Sequence, residues 1–139
     1  MSLSSPAKPA RTRSYWTDAD VEDQIFEIYT CPPNCRAEVT MLHIVNANGN
    51  TTVDAYWYVH PDNIPYYKSS HADYSTWIVD GYRGRILGGK NLIGGEYVLL
   101  TGATLVIEPG DRIEVKASGN SAPHIDARCT VIETFIPVG

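Results

Sequence analysis

The fold class is decided by residues 105–117, which read Leu-Val-Ile-Glu-Pro-Gly-Asp-Arg-Ile-Glu-Val-Lys-Ala. The Pro-Gly pair predicts a tight turn, because proline presets φ at the second turn position and glycine accepts a positive φ at the third. After the turn, Ile113, Val115 and Ala117 alternate with charged residues. This period of two is typical of a half-buried strand. We therefore expect two strands joined by a turn that has a purely local, structural explanation.

The rest of the chain repeats this arrangement of short apolar runs and turn residues. Seven to nine strands at a spacing of about ten residues are expected, and that spacing is typical of a sandwich or barrel. The Asn-Gly pair within residues 46–50 predicts a hairpin, and Thr101-Gly102 predicts a turn between strands. Because no segment has a helical apolar stripe, the prediction is an all-β, antiparallel β-sandwich. The predicted strands are 25–29, 36–46, 53–59, 75–79, 96–100, 103–107, 111–117 and 124–135.

The alternation also predicts which side chains form the core. In the predicted strand 53–59, Val53, Ala55, Trp57 and Val59 share one face, so Trp57 is expected to be buried. The other predicted core residues come from the last two strands and are Ile113, Val115, Ala117, Ile125, Ala127, Cys129 and Val131.

The N-terminal segment differs from the rest in composition. Residues 1–13 are rich in Ser, Pro and Ala and have no hydrophobic period, which is typical of an arm or a disordered tail. We expect an extended arm over residues 1–20, followed by a sandwich domain over residues 21–139. No apolar stretch follows the basic residues of the arm, so we expect no secretory signal peptide and synthesis in the cytosol.

Charge and hydropathy argue against two classes of partner. The net charge is −5, and an acidic body does not suit a nucleic-acid platform, which requires a basic patch. No run of 18 or more apolar residues exists, so no membrane-spanning helix is expected.

Residues with catalytic or metal-binding potential do not form a known motif. Cys31 and Cys35 lack the second close pair of ligands that a zinc site requires. Free thiols at a turn are the favoured interpretation, while a local disulfide and a metal site stay open as alternatives. The four histidines are scattered, and no nucleophile elbow or phosphate loop is present. The pairs Gly88-Gly89 and Gly94-Gly95 are interpreted as flexible loop residues. We expect no catalytic residue, no metal and no cofactor.

The aromatic composition is the strongest indication of a contact surface. Nine aromatic residues are Tyr, three are Trp and two are Phe, and Tyr and Trp suit half-buried sheet faces and interfaces. Three interpretations of these rings stay open. They cover the open face of the sheet in the monomer, they form a subunit interface, or they provide a platform for binding carbohydrate. The candidate interface residues are Leu3, Lys8, Arg11, Arg13, Tyr15 and Trp16 in the arm, and Tyr56, Tyr58, Tyr66, Tyr67, Tyr74 and Trp77 in the body.

Five segments carry a resemblance to a known class of proteins. They are residues 28–32, 36–40, 43–46, 95–99 and 105–113. Together they resemble the small β-sandwich virion proteins of tailed bacteriophages, over roughly residues 24–135. The resemblance implies a jelly-roll-like or Ig-like sandwich, no enzymatic activity and a place on the virion. The turn at Cys31–Cys35 and the Tyr-rich insertion over residues 64–82 depart from that pattern and leave the location on the particle open.

Four functions are compared on this basis. The first is a capsid cement or decoration protein that forms a homo-oligomer and clamps the major capsid protein. The second is a tail or neck appendage subunit, and the third is a carbohydrate-binding module for host attachment. A small cupin-like enzyme is disfavoured, because cupin chemistry needs clustered histidine and carboxylate ligands.

Overall fold

The computed structural model describes residues 10–64 and 81–136, which form two four-stranded antiparallel sheets and one short 3-10 helix at Pro61–Asn63. The predicted all-β sandwich is thus confirmed. The strands are β1 (Arg11–Ala19), β2 (Ile25–Thr30), β3 (Cys35–Asn46), β4 (Thr51–Tyr58), β5 (Arg83–Leu92), β6 (Tyr97–Ile107), β7 (Arg112–Ser118) and β8 (Ile125–Phe135). Within the described residues, no helix is long and apolar enough to cross a membrane.

The strand order identifies the type of sandwich. The first sheet has the order β1-β8-β3-β6 and the second has the order β2-β7-β4-β5. Strand β1 therefore pairs with β8, β2 with β7, β3 with β6 and β4 with β5, as if one long hairpin were rolled up on itself. This is the eight-stranded jelly roll, an architecture found in viral capsid proteins, lectins and cupins. Of the two expected variants, the chain adopts the jelly roll and not the Ig-like sandwich.

The core lies between the sheets and contains the residues that the alternation predicts. All seven predicted core residues of the last two strands have no exposed surface, and Trp57 is 8% exposed. Both predictions are confirmed. The alternation succeeds here because each strand of a two-layer sandwich turns every second side chain towards the opposite sheet.

Two predicted turns connect different sheets. The Asn-Gly turn after β3 leads from the first sheet to the second, and the Pro-Gly turn before Asp111 leads from β6 to β7. The predicted hairpin at residues 46–50 is therefore wrong. A tight turn is compatible with a corner as well as with a hairpin, and local turn chemistry does not distinguish the two.

Two predicted breaks lie inside strands. Thr101-Gly102 belongs to β6, where the pairing with β3 shifts between Val39 and Met41. Gly88-Gly89 belongs to β5, where the pairing with β4 shifts between Val53 and Ala55. Gly89 has a φ of 62°, and its N–H donates to Asp54 Oδ1 at 2.7 Å. Both sites thus act as β-bulges, which insert extra residues without ending a strand.

Asp111 connects segments that are distant in the sequence. Its carboxylate accepts hydrogen bonds from Trp57 Nε1 at 3.1 Å and from the backbone N–H of His60 at 2.9 Å. It also accepts from Asn63 Nδ2 at 2.9 Å and from the backbone N–H of Glu108 at 3.1 Å. The turn that appeared purely local in the sequence therefore fixes the end of β4 as well.

The second half of the predicted arm belongs to the sandwich. Arg11–Ala19 form β1, an edge strand that pairs with β8 from Arg11↔Glu133 to Ala19↔Ile125. The sequence predicts an extended arm over residues 1–20, whereas Arg11–Ala19 belong to the first sheet. Residues 1–9 lie outside the described residues, so an arm over them stays a prediction.

The Tyr-rich connection also lies outside the described residues, which exclude 65–80. The predicted strand at 75–79 falls in this range. So do the candidate interface residues Tyr66, Tyr67, Tyr74 and Trp77, while Leu3 and Lys8 fall within residues 1–9.

Candidate interaction surface

The described residues contain no arrangement typical of catalysis. No group of three or more His, Cys, Asp or Glu side chains in 10–64 and 81–136 is placed to hold a metal ion. All three cysteines are buried, and no disulfide joins them within the described residues. Burial raises the pKa of Cys31 to about 12 and that of Cys129 to about 12, so neither is a thiolate at neutral pH. Both cysteines pack in the hydrophobic core.

The outer face of the first sheet carries the two most exposed large apolar side chains of the described residues, Trp16 and Tyr97, together with Leu99 and Val106. Trp16 is 67% exposed, Tyr97 is 63%, Leu99 is 48% and Val106 is 46%. The register explains why they share a face. Trp16 lies opposite Arg128, Arg128 opposite His43, and His43 opposite Leu99, which makes one row across all four strands.

One side of this face is apolar. We define the apolar half as Met41 and Val45 on β3 together with Tyr97, Leu99 and Val106 on β6. Tyr97 lies opposite Val45 in the ladder, and its ring meets the His43 ring edge-on with 5.5 Å between centroids. Contiguous exposed apolar side chains of this kind mark interaction sites more often than scattered ones do. The apolar half is therefore a candidate contact surface at the β6 edge.

The other side of the face is mixed in polarity. An open groove of about 390 Å³ is lined by Ser14, Tyr15, Trp16, Asp126 and Arg128, and we call it the Trp16 groove. Arg128 Nη2 contacts Asp126 Oδ2 at 3.3 Å, and the hydroxyls of Ser14 and Thr130 are 2.9 Å apart. With neighbouring strands about 4.8 Å apart, β1 lies roughly 14 Å from β6, so the groove and the apolar half are separate surfaces.

A buried carboxylate holds β1 in its place. Glu133 on β8 has no exposed surface and accepts from Arg11 Nε at 2.6 Å and from the Tyr29 hydroxyl at 2.6 Å. Tyr29 belongs to the second sheet, and its ring packs on the Tyr15 ring with 4.7 Å between centroids. Burial, followed by the bond to Glu133, raises the pKa of Tyr29 well above its usual value, which keeps the phenol a donor. This Glu133 latch joins the edge strand to both sheets.

Two predicted interface tyrosines lie on the second sheet instead. Tyr56 is 7% exposed and Tyr58 is half-buried. The guanidinium carbon of Arg112 lies 4.0 Å from the centre of the Tyr58 ring, and that of Arg83 lies 5.3 Å from it. Both arginines also contact the buried Glu114, at 3.4 and 2.7 Å. Tyr56 and Tyr58 are therefore packed within the chain and do not join the exposed face.

The arm residues that were predicted as anchors separate into two groups. Trp16 points outward on β1, while Tyr15 and Arg11 contribute to the Glu133 latch. The side chain of Arg13 is 52% exposed, with its Nε 4.0 Å from Glu133 Oε1. A role in an interface stays a prediction for all of them.

Sequence reasoning did not identify the apolar half. None of Met41, Val45, Tyr97, Leu99 and Val106 was among the predicted interface residues. A signal was present, since residues 41–45 are apolar on both faces of a strand, and such a strand needs cover on both sides. The β6 residues became part of the same surface only through the pairing of β3 with β6.

Comparisons with known proteins concern the fold. The sequence matches no protein-family model and no curated protein. A chain in the structure of the infectious bursal disease virus Gt strain is similar, with 11% identity and a TM-score of 0.50. The match covers 93% of this chain and 32% of that one, so this chain spans about a third of the viral protein.

Two further similar structures come from a phage capsid and a pilus. A chain in the acid-stable capsid of Helicobacter pylori bacteriophage KHP30 has 6% identity and a TM-score of 0.49, with 91% of this chain and 89% of that chain covered. A subunit of the disulfide-linked pili of Bacillus endospore appendages has 12% identity and a TM-score of 0.43, with 99% and 100% covered. Among these three structures, the bursal disease virus chain has a TM-score of 0.50, and at 11% identity that similarity shows a shared fold alone.

Proposed function

We propose that this chain is a non-enzymatic structural protein of a bacteriophage particle, and specifically a cement or decoration protein that binds the major capsid protein. The observation that carries the proposal is a jelly roll whose edge strand β6 presents an exposed apolar surface, the apolar half. The sequence resemblance to small phage virion proteins points the same way. The protein is made in the host cytoplasm and resides in the virion.

The apolar half is the proposed contact with the shell. Burial of apolar surface contributes about 25 cal/mol per Å², and aromatic residues near the centre of an interface often cost about 2 kcal/mol or more when truncated. Tyr97 is the aromatic candidate for such a role. Because a cement protein binds only the assembled lattice, its binding stabilises that lattice by mass action. A homo-oligomer, in which copies meet on the shell, is part of the same proposal.

The residues before β1 provide a second proposed contact. Ten residues span at most about 35 Å when fully extended, which is enough to reach a neighbouring subunit. Lys8 would pair there with an acidic group, which contributes only about 0–1 kcal/mol if exposed, so Leu3 is the proposed anchor. This arm is shorter than the predicted one, because Arg11–Ala19 are used in the sandwich.

The copy number on purified particles tests the proposed function. The ratio of this chain to the major capsid protein is measured by quantitative mass spectrometry on particles of the phage that encodes it. We expect a fixed ratio of this chain to the major capsid protein, because the arrangement of subunits in the shell determines the number of binding positions. A few copies that fractionate with tails would replace the cement role with a tail or neck appendage, and absence from particles would overturn a virion role.

The contact surface is tested separately on shells that lack the protein. A Tyr97→Ser, Leu99→Ser double variant should lower shell occupancy about thirtyfold or more at limiting concentration, as expected for a loss of about 2 kcal/mol. Val21→Ser is the control, because it also removes an exposed apolar side chain, but from the connection between β1 and β2, outside the predicted contact residues. Equal occupancy of the double variant and the control would rule out the apolar half as the contact.

A further inference from the structure

The Trp16 groove combines an exposed aromatic ring with polar groups that lack full partners. The side chain of Trp16 projects from an edge strand with 67% of its surface exposed, although a large ring usually gains from burial. Beside it, the groove presents a carboxylate, a guanidinium and a hydroxyl from Asp126, Arg128 and Ser14. Its volume of about 390 Å³ lies within the range of small-molecule sites.

A second observation points to a missing hydrogen-bond donor. Asp126 Oδ1 is buried and accepts no hydrogen bond from the described residues, whereas Oδ2 contacts Arg128 at 3.3 Å. Buried carboxylate oxygens are normally satisfied, and one that is not needs an explanation. Asp18 lies directly opposite Asp126 in the β1–β8 ladder, and like charges in that position are unfavourable. A ligand that donates hydrogen bonds would relieve both conditions.

The chemistry of the groove identifies the class of ligand. An uncharged sugar ring has C–H groups that pack on an aromatic face and hydroxyls that both donate and accept hydrogen bonds. Its hydroxyls would donate to the Asp126 carboxylate and accept from Arg128. We propose that the Trp16 groove is a binding site for a neutral saccharide. The ring stacks on Trp16, and one of its hydroxyls donates to the partly exposed carboxylate of Asp126.

The charges of the groove argue against ionic ligands. The carboxylate of Asp126 in the groove, with Asp18 opposite it in the ladder, disfavours an anionic sugar or a phosphate. Arg128 already contacts one carboxylate and repels a cation from the Trp16 ring. A neutral ligand that offers both donors and acceptors fits this set, and the contact area suits one or two sugar units.

The saccharide site is independent of the proposed function. It lies at the β1 edge, away from the apolar half at the β6 edge, and it requires only the folded chain. A protein that carried this site on the outside of a shell would present it to the surroundings. The site would be equally accessible if the chain had another location.

The test is a titration of the full chain with neutral saccharides, observed by two-dimensional NMR. The panel contains glucose, galactose, mannose and N-acetylglucosamine and disaccharides built from them. We expect at least one of them to shift the Trp16 indole N–H and the amides of residues 126–128, with a Kd in the millimolar range. Trp16→Ala should weaken binding about tenfold or more, and Asp126→Asn should weaken it as well. Tyr97→Ala, at the other edge, should leave the Kd unchanged.

Each result decides the proposal. No shift with any sugar of the panel, or an unchanged Kd in Trp16→Ala with the native amide spectrum preserved, would overturn it. Binding that Tyr97→Ala abolishes and Trp16→Ala does not would place the site elsewhere. None of these outcomes bears on shell occupancy, which is tested through Tyr97 and Leu99.

Discussion

Asp111 shows how much a single carboxylate contributes to this fold. Four donors from three segments converge on its two oxygens, so Asp111→Ala would remove this acceptor from two side chains, Trp57 and Asn63, and from two backbone N–H groups. We expect a loss of roughly 3 kcal/mol or more in the free energy of unfolding, since each unsatisfied buried group costs about 1–3 kcal/mol. Urea denaturation measures this. Asp62→Ala is the control, because the Asp62 side chain is 89% exposed. A loss as small as in the control would contradict the role of Asp111.

The buried thiols predict a sensitivity to alkaline pH. The ordinary thiol pKa is 9.0, and burial raises the pKa of Cys31 and of Cys129 to about 12. Below pH 9 both thiols are protonated in the folded and the unfolded chain, so they cause no pH dependence. Between about pH 9 and 12 only the unfolded chain releases these protons, and stability falls as pH rises. A Cys31→Ala, Cys129→Ala double variant should show a shallower decline in unfolding free energy over this window. An identical slope in the two proteins would contradict the assignment.

At the scale of elements, the Glu133 latch determines how firmly β1 is held. Tyr29→Phe removes one of the donors to a carboxylate that has no access to water, so we expect a loss of about 1–3 kcal/mol in unfolding free energy. Amide exchange in β1 should accelerate as well. Tyr97→Phe is the matched control, because it removes an exposed hydroxyl and should change stability by less than about 0.5 kcal/mol. A Tyr29 variant as stable as this control would show that the latch contributes little.

Some features of the strands could be predicted from the sequence, and others could not. The existence of β2, β3, β4, β7 and β8 and the core face of β7 and β8 were predicted, since alternation is a local property that the pleat converts directly into burial. Strand β5 was not predicted, and β6 was predicted as two separate strands. The bulges at Gly88-Gly89 and Gly102 were missed, because a glycine inside a strand and a glycine that ends one have the same local signature. The inclusion of Arg11–Ala19 in the sheet was missed too, since the strand depends on a partner more than 100 residues away, as the separation of 122 between Arg11 and Glu133 shows.

For the whole molecule, the rolled-up topology predicts slow folding. Pairing of the first strand with the last closes a loop of nearly the full chain, and such non-local contacts have to form before they stabilise anything. We expect refolding in milliseconds to seconds, typical of all-β domains with many distant pairings. Stopped-flow fluorescence follows this through the burial of Trp57. A Trp16→Phe variant serves as the control. It replaces an exposed indole by a smaller ring and should leave the refolding rate unchanged. Refolding within microseconds would contradict the topology.

The candidate surfaces are properties of the whole molecule, and the sequence alone did not predict them. Trp16 was a predicted contact residue, but the partners that make a groove with it, Asp126 and Arg128, come from the other end of the chain. The apolar half likewise joins β3 to β6. Residues that are far apart in sequence become one surface only through the strand order, which neither periodicity nor turn chemistry specifies.

The pairing of β1 with β8 has a practical consequence for engineering. Arg11, at the start of the first strand, lies opposite Glu133, near the end of the last, so a short peptide linker would join the two ends into a circular chain. The connection at residues 47–50 is exposed and lies beside the one at 119–124, with Asn48 Nδ2 donating to the carbonyl of Ala122 at 2.8 Å. Reopening the circle at Asn48-Gly49 would give a permuted polypeptide whose new termini emerge at the opposite pole of the sandwich. A fused cargo would then be displayed from that pole, while β1 and β8 became a covalent hairpin.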